Sequence, residues 1–368
     1  MGSGNCRKHA QRPKLVTLEN TDLPSLAQYI KSNKCKNIVL MPIQRHIISG
    51  VSTSAGIPDF RSPETGLYSN LARLKLPYPE AVFEIGYFRR NPVPFYTLAQ
   101  ELYPGKFRPT IAHSFIRLLH DKGLLLKCFT QNIDTLERRA GVPDEKIIEA
   151  HGSFAAQRCI DCQAPYDDFL IKVHIKEKTI PRCDGCRGLV KPDIVFFGES
   201  LPEDFIESIP LLQQADLLIV MGTSLTVHPF AMLAGLVETK CPRVLINLEE
   251  VGDFSHRTDD VLLLGRCDEM VRELCQELGW EEDLDELWKD TENSIEKDED
   301  DEDDEDRAEL ANEIASLTSA IEQSLSIAKT PPPSSTKTTI DSPKSENDVK
   351  ETPEPKSSSN KTDTSQEK

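Results

Sequence analysis

Four short, almost wholly apolar runs limit what this chain can become: Asn37-Ile-Val-Leu-Met41, Leu124-Leu-Leu-Lys-Cys-Phe129, Leu217-Leu-Ile-Val-Met221 and Arg243-Val-Leu-Ile-Asn247. Longer stretches with helical periodicity separate them between about residues 15 and 285. Strands this short and uniformly apolar need cover on both faces, as the strands of a parallel sheet flanked by helices have. An α/β fold with a parallel sheet is therefore expected. In such open sheets ligands bind beyond the carboxyl ends of the strands, so the residues that follow each run are the first places to look for chemistry.

Beyond about Asp290 the pattern dissolves into Glu296-Lys-Asp-Glu-Asp-Asp-Glu-Asp-Asp-Glu-Asp306, a Pro331-Pro-Pro333 run and Ser/Thr/Lys-rich sequence, which reads as a disordered acidic tail. Residues 291–368 carry 21 Asp/Glu against 9 Lys/Arg, and so hold −12 of the formal −18. Within it Leu310, Ile314, Leu317, Ile321 and Leu325 would form an apolar stripe on a helix, either transient or docking a protein partner. The domain organisation expected is an arm over 1–20, a folded unit over 21–285 and a tail over 286–368. An acidic chain without a basic face is unsuited to phosphate backbones, so specific nucleic-acid binding is not expected. No apolar run approaches the roughly 18–20 residues of a membrane helix, and Met1-Gly2-Ser3-Gly4-Asn5-Cys6 matches neither a secretory nor a myristoylation signal, so the expectation is a soluble intracellular protein.

The strongest spacing signal is Cys159-x-x-Cys162, twenty residues, then Cys183-x-x-Cys186. Each pair offers two thiolates from one tight knuckle, and four sulfurs complete a tetrahedral zinc site without an open position. A structural zinc is expected; Cys6, Cys35, Cys128, Cys241, Cys267 and Cys275 read as reduced thiols.

Polar clusters follow the apolar runs. Ser49-Gly-Val-Ser-Thr-Ser-Ala-Gly-Ile-Pro-Asp-Phe-Arg61 is a small-residue loop that could approach a phosphate, although it is not the G-x-G-x-x-G of dehydrogenases. Thr130-Gln-Asn-Ile-Asp134 follows the second run, with a helix expected from Thr135 to Gly141 and Asp134 readable either as a helix cap or as a ligand group. His151 stands in Glu149-Ala-His-Gly-Ser153 just ahead of the first cysteine pair. Met221-Gly-Thr-Ser-Leu225 and Asn247-Leu-Glu249 close the third and fourth runs with hydrogen-bonding groups suited to phosphate and ribose.

In order, Gly56-Ile-Pro-Asp-Phe-Arg61, Thr130-Gln-Asn-Ile-Asp134, His151-Gly152, the two cysteine pairs, Lys191-Pro-Asp-Ile-Val-Phe-Phe-Gly-Glu199 and Gly222-Thr-Ser224 resemble the sirtuin family of NAD-dependent protein deacylases. The resemblance spans roughly residues 20–285. Thr65-Gly-Leu-Tyr68, Leu76-Pro-Tyr-Pro-Glu80 and Asp193-Ile-Val-Phe-Phe-Gly-Glu-Ser-Leu-Pro202 look closest to the sirtuin-2 branch. It implies a Rossmann-like domain with a smaller zinc-binding and helical domain, the zinc module over about 153–190. NAD would be co-substrate and one zinc ion structural.

The resemblance assigns Ser49, Gly50, Val51, Ser52, Thr53, Asp59, Phe60 and Arg61 to the NAD loop. It assigns Gln131, Asn132, Ile133 and Asp134 to the nicotinamide and ribose pocket, with Asn132 and Asp134 also in catalytic roles. Gly222, Thr223, Ser224, Asn247, Leu248, Glu249 and Cys267 would hold the rest of the dinucleotide. Val195 and Phe196 would pair with an extended acyl-lysine peptide. The implied reaction starts with attack of the acyl oxygen on the ribose carbon that bears nicotinamide. His151 then acts as general base on a ribose hydroxyl, and the products are free lysine and O-acyl-ADP-ribose. Partners implied are acetylated proteins such as histones or tubulin, in the cytoplasm with access to the nucleus.

Two departures stand out. Where the family normally has Gly-Ala-Gly-Ile-Ser-Thr-Ser-Ala-Gly after the first strand, Met41 is followed here by Pro42-Ile-Gln-Arg-His-Ile-Ile-Ser-Gly-Val51. Aligned back from Ser52, the Gly-Ala-Gly becomes Ile48-Ser49-Gly50, with about five extra residues ahead of it. An isoleucine Cβ where backbone should meet diphosphate leaves a second reading, a catalytically impaired module that binds acyl-lysine peptides. Leu248 also replaces a usual Lys.

Overall fold

The structure is a computed structural model, and it describes residues 17–42, 51–57 and 76–295. Six strands form one parallel sheet: β1 (Ile38–Pro42), β2 (Leu125–Thr130), β3 (Ile147–Glu149), β6 (Leu217–Met221), β7 (Arg243–Asn247) and β8 (Asp260–Leu264), in the order β3-β2-β1-β6-β7-β8. Two further strands, β4 (Gly152–Cys159) and β5 (Val190–Ile194), form a separate antiparallel pair. The third and fourth apolar runs coincide with β6 and β7, and the first two lie within one residue of β1 and β2.

The period of two along the strands divides the main core in two. Ile38, Leu40, Ile219, Met221, Val244 and Ile246 pack with the helices Leu23–Ile30, Ile111–Asp121 and Cys267–Leu278. Val39, Met41, Leu218, Val220 and Leu245 pack on the other face with Phe205, Phe230, Leu233 and Phe254. Both faces are thus covered, as continuous apolar strands require. The helices have local start and stop signals. Asp22 caps the first by accepting from Ser25 N–H at 2.9 Å, and Gly279 ends Cys267–Leu278 at φ 68°.

The chain leaves β1 on one side for β2 and β3 and returns on the other for β6, β7 and β8. This is the Rossmann-like arrangement, and its switch point lies between β1 and β6. A third apolar cluster belongs to the smaller part of the fold, where Phe88, Phe95, Tyr96, Phe154, Ile171, Ile175, Val190 and Phe196 pack around β4 and β5. Its aromatic rings meet edge to face, Phe95 to Phe196 at 5.0 Å between centroids.

The helix expected over Thr135–Gly141 shortens to Leu136–Arg139, because Thr135 takes φ 64° and the chain resumes a left-handed turn at Gly141. Residues 1–16, 43–50, 58–75 and 296–368 lie outside the described residues. With them go Cys6 and most of the arm over 1–20, Ser49, Gly50 and the extra residues ahead of them, Asp59, Phe60 and Arg61, and the tail with its apolar stripe. Among the described residues no helix is long and apolar enough to cross a membrane. Cys35, Cys128, Cys241, Cys267 and Cys275 are free thiols, and all five are buried.

Candidate active site

The four cysteines meet where the small antiparallel pair ends. Cys159 Sγ lies 3.4 Å from Cys186 Sγ and Cys162 Sγ 3.6 Å from Cys183 Sγ, and all four fall within 4.8 Å of one another. Four sulfurs at about 2.3 Å from one ion would be about 3.8 Å apart, so the set fits a tetrahedral zinc. Each half is built alike. Gln163 N–H donates to Cys159 O and Arg187 N–H to Cys183 O, and Gln163 and Arg187 both adopt positive φ to close their knuckles. Backbone N–H groups of Asp161 and Gly188 point at Cys159 Sγ and Cys186 Sγ, each at 3.4 Å, and would support thiolates. Gly188 is required there, since a Cβ would stand 2.8 Å from Cys159 Sγ and 2.4 Å from an Asp161 carboxylate oxygen.

The second cluster lies at the carboxyl ends of β1, β2, β6 and β7. Asn132 is buried after β2: its backbone N–H donates to Thr130 Oγ1 at 3.0 Å and its side-chain amide to Ser52 Oγ at 3.3 Å. Asp134 is buried and accepts from Leu136 N–H at 3.0 Å. Its carboxylate therefore faces the start of the short helix, although the cap position itself is taken by Thr135 rather than Asp134. Burial first, opposed by the hydroxyl of Ser52, pushes its pKa up. Ile133 packs against the small-domain aromatic cluster, and Val51 and Ser52 are buried.

At the ends of β6 and β7, Gly222 N–H donates to Ile246 O, Thr223 Oγ1 accepts from Leu225 N–H, and Ser224 Oγ pairs with Thr226. Asn247 is fully buried and donates from Nδ2 to Glu249 O at 2.7 Å. Leu248 is exposed and Glu249 borders it at the surface. Cys267 faces Ile246 O, and burial pushes its thiol up to about 12, so it stays a neutral thiol.

Four buried polar atoms of this region, Gln131 Nε2, Asn132 Oδ1, Asp134 Oδ2 and Asn247 Oδ1, have no partner among the described residues. Buried polar atoms are normally satisfied, so unpaired ones at the carboxyl ends of β2 and β7 fit a polar ligand such as a dinucleotide.

His151 links the two parts of the fold. It follows β3 and immediately precedes Gly152, and its carbonyl accepts from Val195 N–H at 2.8 Å. Burial lowers its pKa, an effect opposed by a hydrogen bond to the Gln131 backbone. The ring is thus neutral at neutral pH and free to accept a proton. Phe196 is buried among Phe83, Phe88 and Phe95, and its N–H donates to the Glu199 carboxylate at 2.8 Å. The amides of both Val195 and Phe196 are therefore already engaged, which the sequence did not reveal. The neighbouring Phe197 instead stands 62% exposed.

Gly152 sets the position of His151. It takes φ 63°, and a Cβ there would lie 1.8 Å from Asp193 O. Gly152→Ala is expected to cost about 1–2 kcal/mol for the left-handed backbone, and about 1–3 kcal/mol more for the overlap. Chemical denaturation would read this as an earlier midpoint; an unchanged midpoint would contradict the close approach.

Three site-bordering residues were not foreseen from the sequence: His113, Thr130 in its hydrogen-bonding role, and Glu137. His113 and Glu137 occupy helices, and only Thr110-x-x-His113, which forms a capping box, gave a local signal.

Comparison with known proteins follows this geometry. The Sir2 family model matches residues 49–229. The chain is 54% identical over 313 residues to "NAD-dependent protein deacetylase hst2-1" of Emericella nidulans, covering 84% of this chain and 85% of that protein. It is 55% identical over 266 residues to "NAD-dependent protein deacetylase hst2" of Schizosaccharomyces pombe, covering 72% and 79%. It is 50% identical over 292 residues to "NAD-dependent protein deacetylase sirtuin-2" of Danio rerio, covering 74% and 76%. With a cysteine quartet, polar groups gathered at the strand ends and relatives matched at half identity over most of their length, the chain belongs to the Sir2 family, on its sirtuin-2-like branch.

Proposed function

We propose that the protein is an NAD-dependent protein lysine deacetylase, and the observation that carries this is the set of unpaired buried polar atoms at the carboxyl ends of β2 and β7, with burial keeping His151 in its base form. The relatives' names support the same reading rather than the impaired binding module. NAD, when bound, supplies an electrophilic ribose carbon with nicotinamide as leaving group. Asn132 and Asp134 hydrogen-bond at the nicotinamide and ribose end, with Gln131 and Ile133 as walls. Val51, Ser52, Thr53, Gly222, Thr223, Ser224, Asn247, Leu248, Glu249 and Cys267 hold the remainder, joined by Ser49, Gly50, Asp59, Phe60 and Arg61. His151 accepts a proton from a ribose hydroxyl, a role its lowered pKa suits because the base form persists at neutral pH.

Val195 and Phe196 border an extended acyl-lysine peptide, and the exposed Phe197 beside them adds apolar surface. The zinc quartet takes no part in the chemistry, since four sulfurs leave no open position. Acetylated histones or tubulin are the proposed substrates, in the cytoplasm with access to the nucleus, and docking of a protein partner is the proposed role of the acidic tail. Calorimetric titration of NAD into the zinc-loaded protein tests the reading. Saturable binding at submillimolar affinity, about 4 kcal/mol or better, is expected. Peptide binding without NAD binding would favour the impaired module.

A further inference from the structure

Among the described residues Lys191 is the only buried lysine. A lysine stem usually carries its ammonium out to water, yet here the head turns inward from β5. Nζ donates to the carbonyls of Pro192 and Ile194, the first at 3.2 Å, and stands 3.1 Å from Glu199 Oε2. Those three acceptors use all the donors an ammonium has. The fourth neighbour is the face of Phe196, whose ring centroid lies 4.4 Å from Nζ. A buried charge is tolerated only when it is paired and hydrogen-bonded, and each of these groups comes from residues 192–199. The cation is the centre about which the chain after β5 turns.

That turn carries the strip Val195–Phe197, whose amides are held from separate directions. Val195 N–H donates to His151 O at 2.8 Å and Phe197 N–H to Phe83 O at 2.7 Å, so both ends of the strip are tied to neighbouring segments. Phe196, between them, is tied by Glu199. Its N–H donates to Glu199 Oε2 at 2.8 Å, and its carbonyl accepts from Glu199 N–H at 2.9 Å. Gly198, at φ 94°, lets the chain turn back far enough for this. Oε2 is thus shared by the Phe196 amide and the Lys191 ammonium. Glu199 is partly exposed, so a carboxylate without a partner there would be drawn to water; the buried ammonium holds it inward over Phe196. The same ammonium meets the Phe196 ring, so one cation fixes both the backbone and the ring of one residue.

We propose that Lys191 is a positioning residue of the peptide site: with Glu199 it locks Phe196, and so presents the strip Val195–Phe197 as an edge already ordered for an extended acyl-lysine peptide. A peptide that adds to such an edge does not bear the cost of ordering it. This rests on the peptide reading above, but the lock itself does not.

The lock is read in the free, zinc-loaded protein by hydrogen exchange with mass spectrometry over residues 195–199. Lys191→Met keeps the stem and removes the charge, and Glu199→Ala removes the carboxylate; each is expected to speed exchange there about tenfold. Glu199→Gln keeps an oxygen acceptor and is expected to stay within about threefold of wild type. Unchanged exchange in Glu199→Ala, folded by circular dichroism, overturns the proposal whether or not peptide binds, and that variant serves where the core change Lys191→Met fails to fold. In turnover, Lys191→Met and Glu199→Ala are each expected to raise KM for an acetyl-lysine peptide about tenfold, with kcat and KM for NAD changed less than about threefold. The double variant is expected to be about as poor as the poorer single, because the two residues act as a unit. Glu199→Gln is expected to restore KM for peptide to within about threefold. Faster exchange with KM for peptide unchanged, or fully additive losses in the double variant, overturns the positioning role. A wild type that shows the lock but neither binds nor turns over acetyl-lysine peptide contradicts the peptide reading and with it the positioning role, while the lock stands.

Discussion

His151→Ala is expected to leave the protein folded, with one zinc per chain and NAD affinity near that of wild type, while lowering deacetylation by about 10²–10⁴-fold, the range a positioned general base contributes. The side chain sits where β3 ends and the small antiparallel pair begins, and the segment is tied across to β5's continuation by its carbonyl, bonded to Val195 N–H. Truncation at Cβ removes the base without removing that link. The sign of the pKa shift adds a second test. Burial disfavours the imidazolium, so the base form survives to lower pH, and the acid limb of kcat/KM should lie below the unperturbed value of about 6.5. A variant with near-wild-type turnover, or an acid limb above that value, would contradict the assignment of His151.

Removal of zinc is the second large effect. Zinc binding in small structural sites corresponds to about 10–16 kcal/mol of coupled folding free energy. Chelation or Cys183→Ser should therefore unfold the region around β4 and β5. The cysteines close off that region, and its core of Phe154, Ile171, Ile175 and Val190 is separate from the two clusters that flank the main sheet. Hydrogen exchange is expected to show lost protection from Gly152 to Ile194 and retained protection in β1, β2, β6 and β7. Activity should fall with it, because Val195 and Phe196 lose their anchorage beside His151. Full protection and turnover in zinc-free protein would contradict a structural metal.

The parallel sheet was legible where its strands are buried on both faces, since Leu217–Met221 and Arg243–Asn247 are continuous apolar runs with no competing pattern. The edges were not. β3 is three residues long, β8 leaves Leu264 half exposed, and β4 mixes buried and exposed positions without a clean alternation. The polar residues Gln131, Asn132, Asp134 and Asn247 stood out in the sequence because they lie at or just past strand ends, and the cysteines because spacing alone encodes a knuckle. His113 and Glu137 did not. Each is a polar residue on an otherwise ordinary helix, and only the packing of Ile111–Asp121 beneath the β2 loop brings them beside Asp134. The engaged amides of Val195 and Phe196 were equally hidden, since their acceptors are His151 O and a Glu199 carboxylate oxygen.

The extra residues ahead of Val51 bear on cofactor binding more than any other departure from the family pattern, and turnover is the direct way to weigh them. The measurement is the yield of nicotinamide and of deacetylated peptide when the zinc-loaded protein is incubated with NAD and an acetyl-lysine peptide. One nicotinamide per lysine freed, with neither product when NAD is omitted and no deacetylated peptide from His151→Ala, is the result expected of a deacetylase with this site. Peptide bound but unchanged in the presence of NAD, with no nicotinamide released, would contradict it.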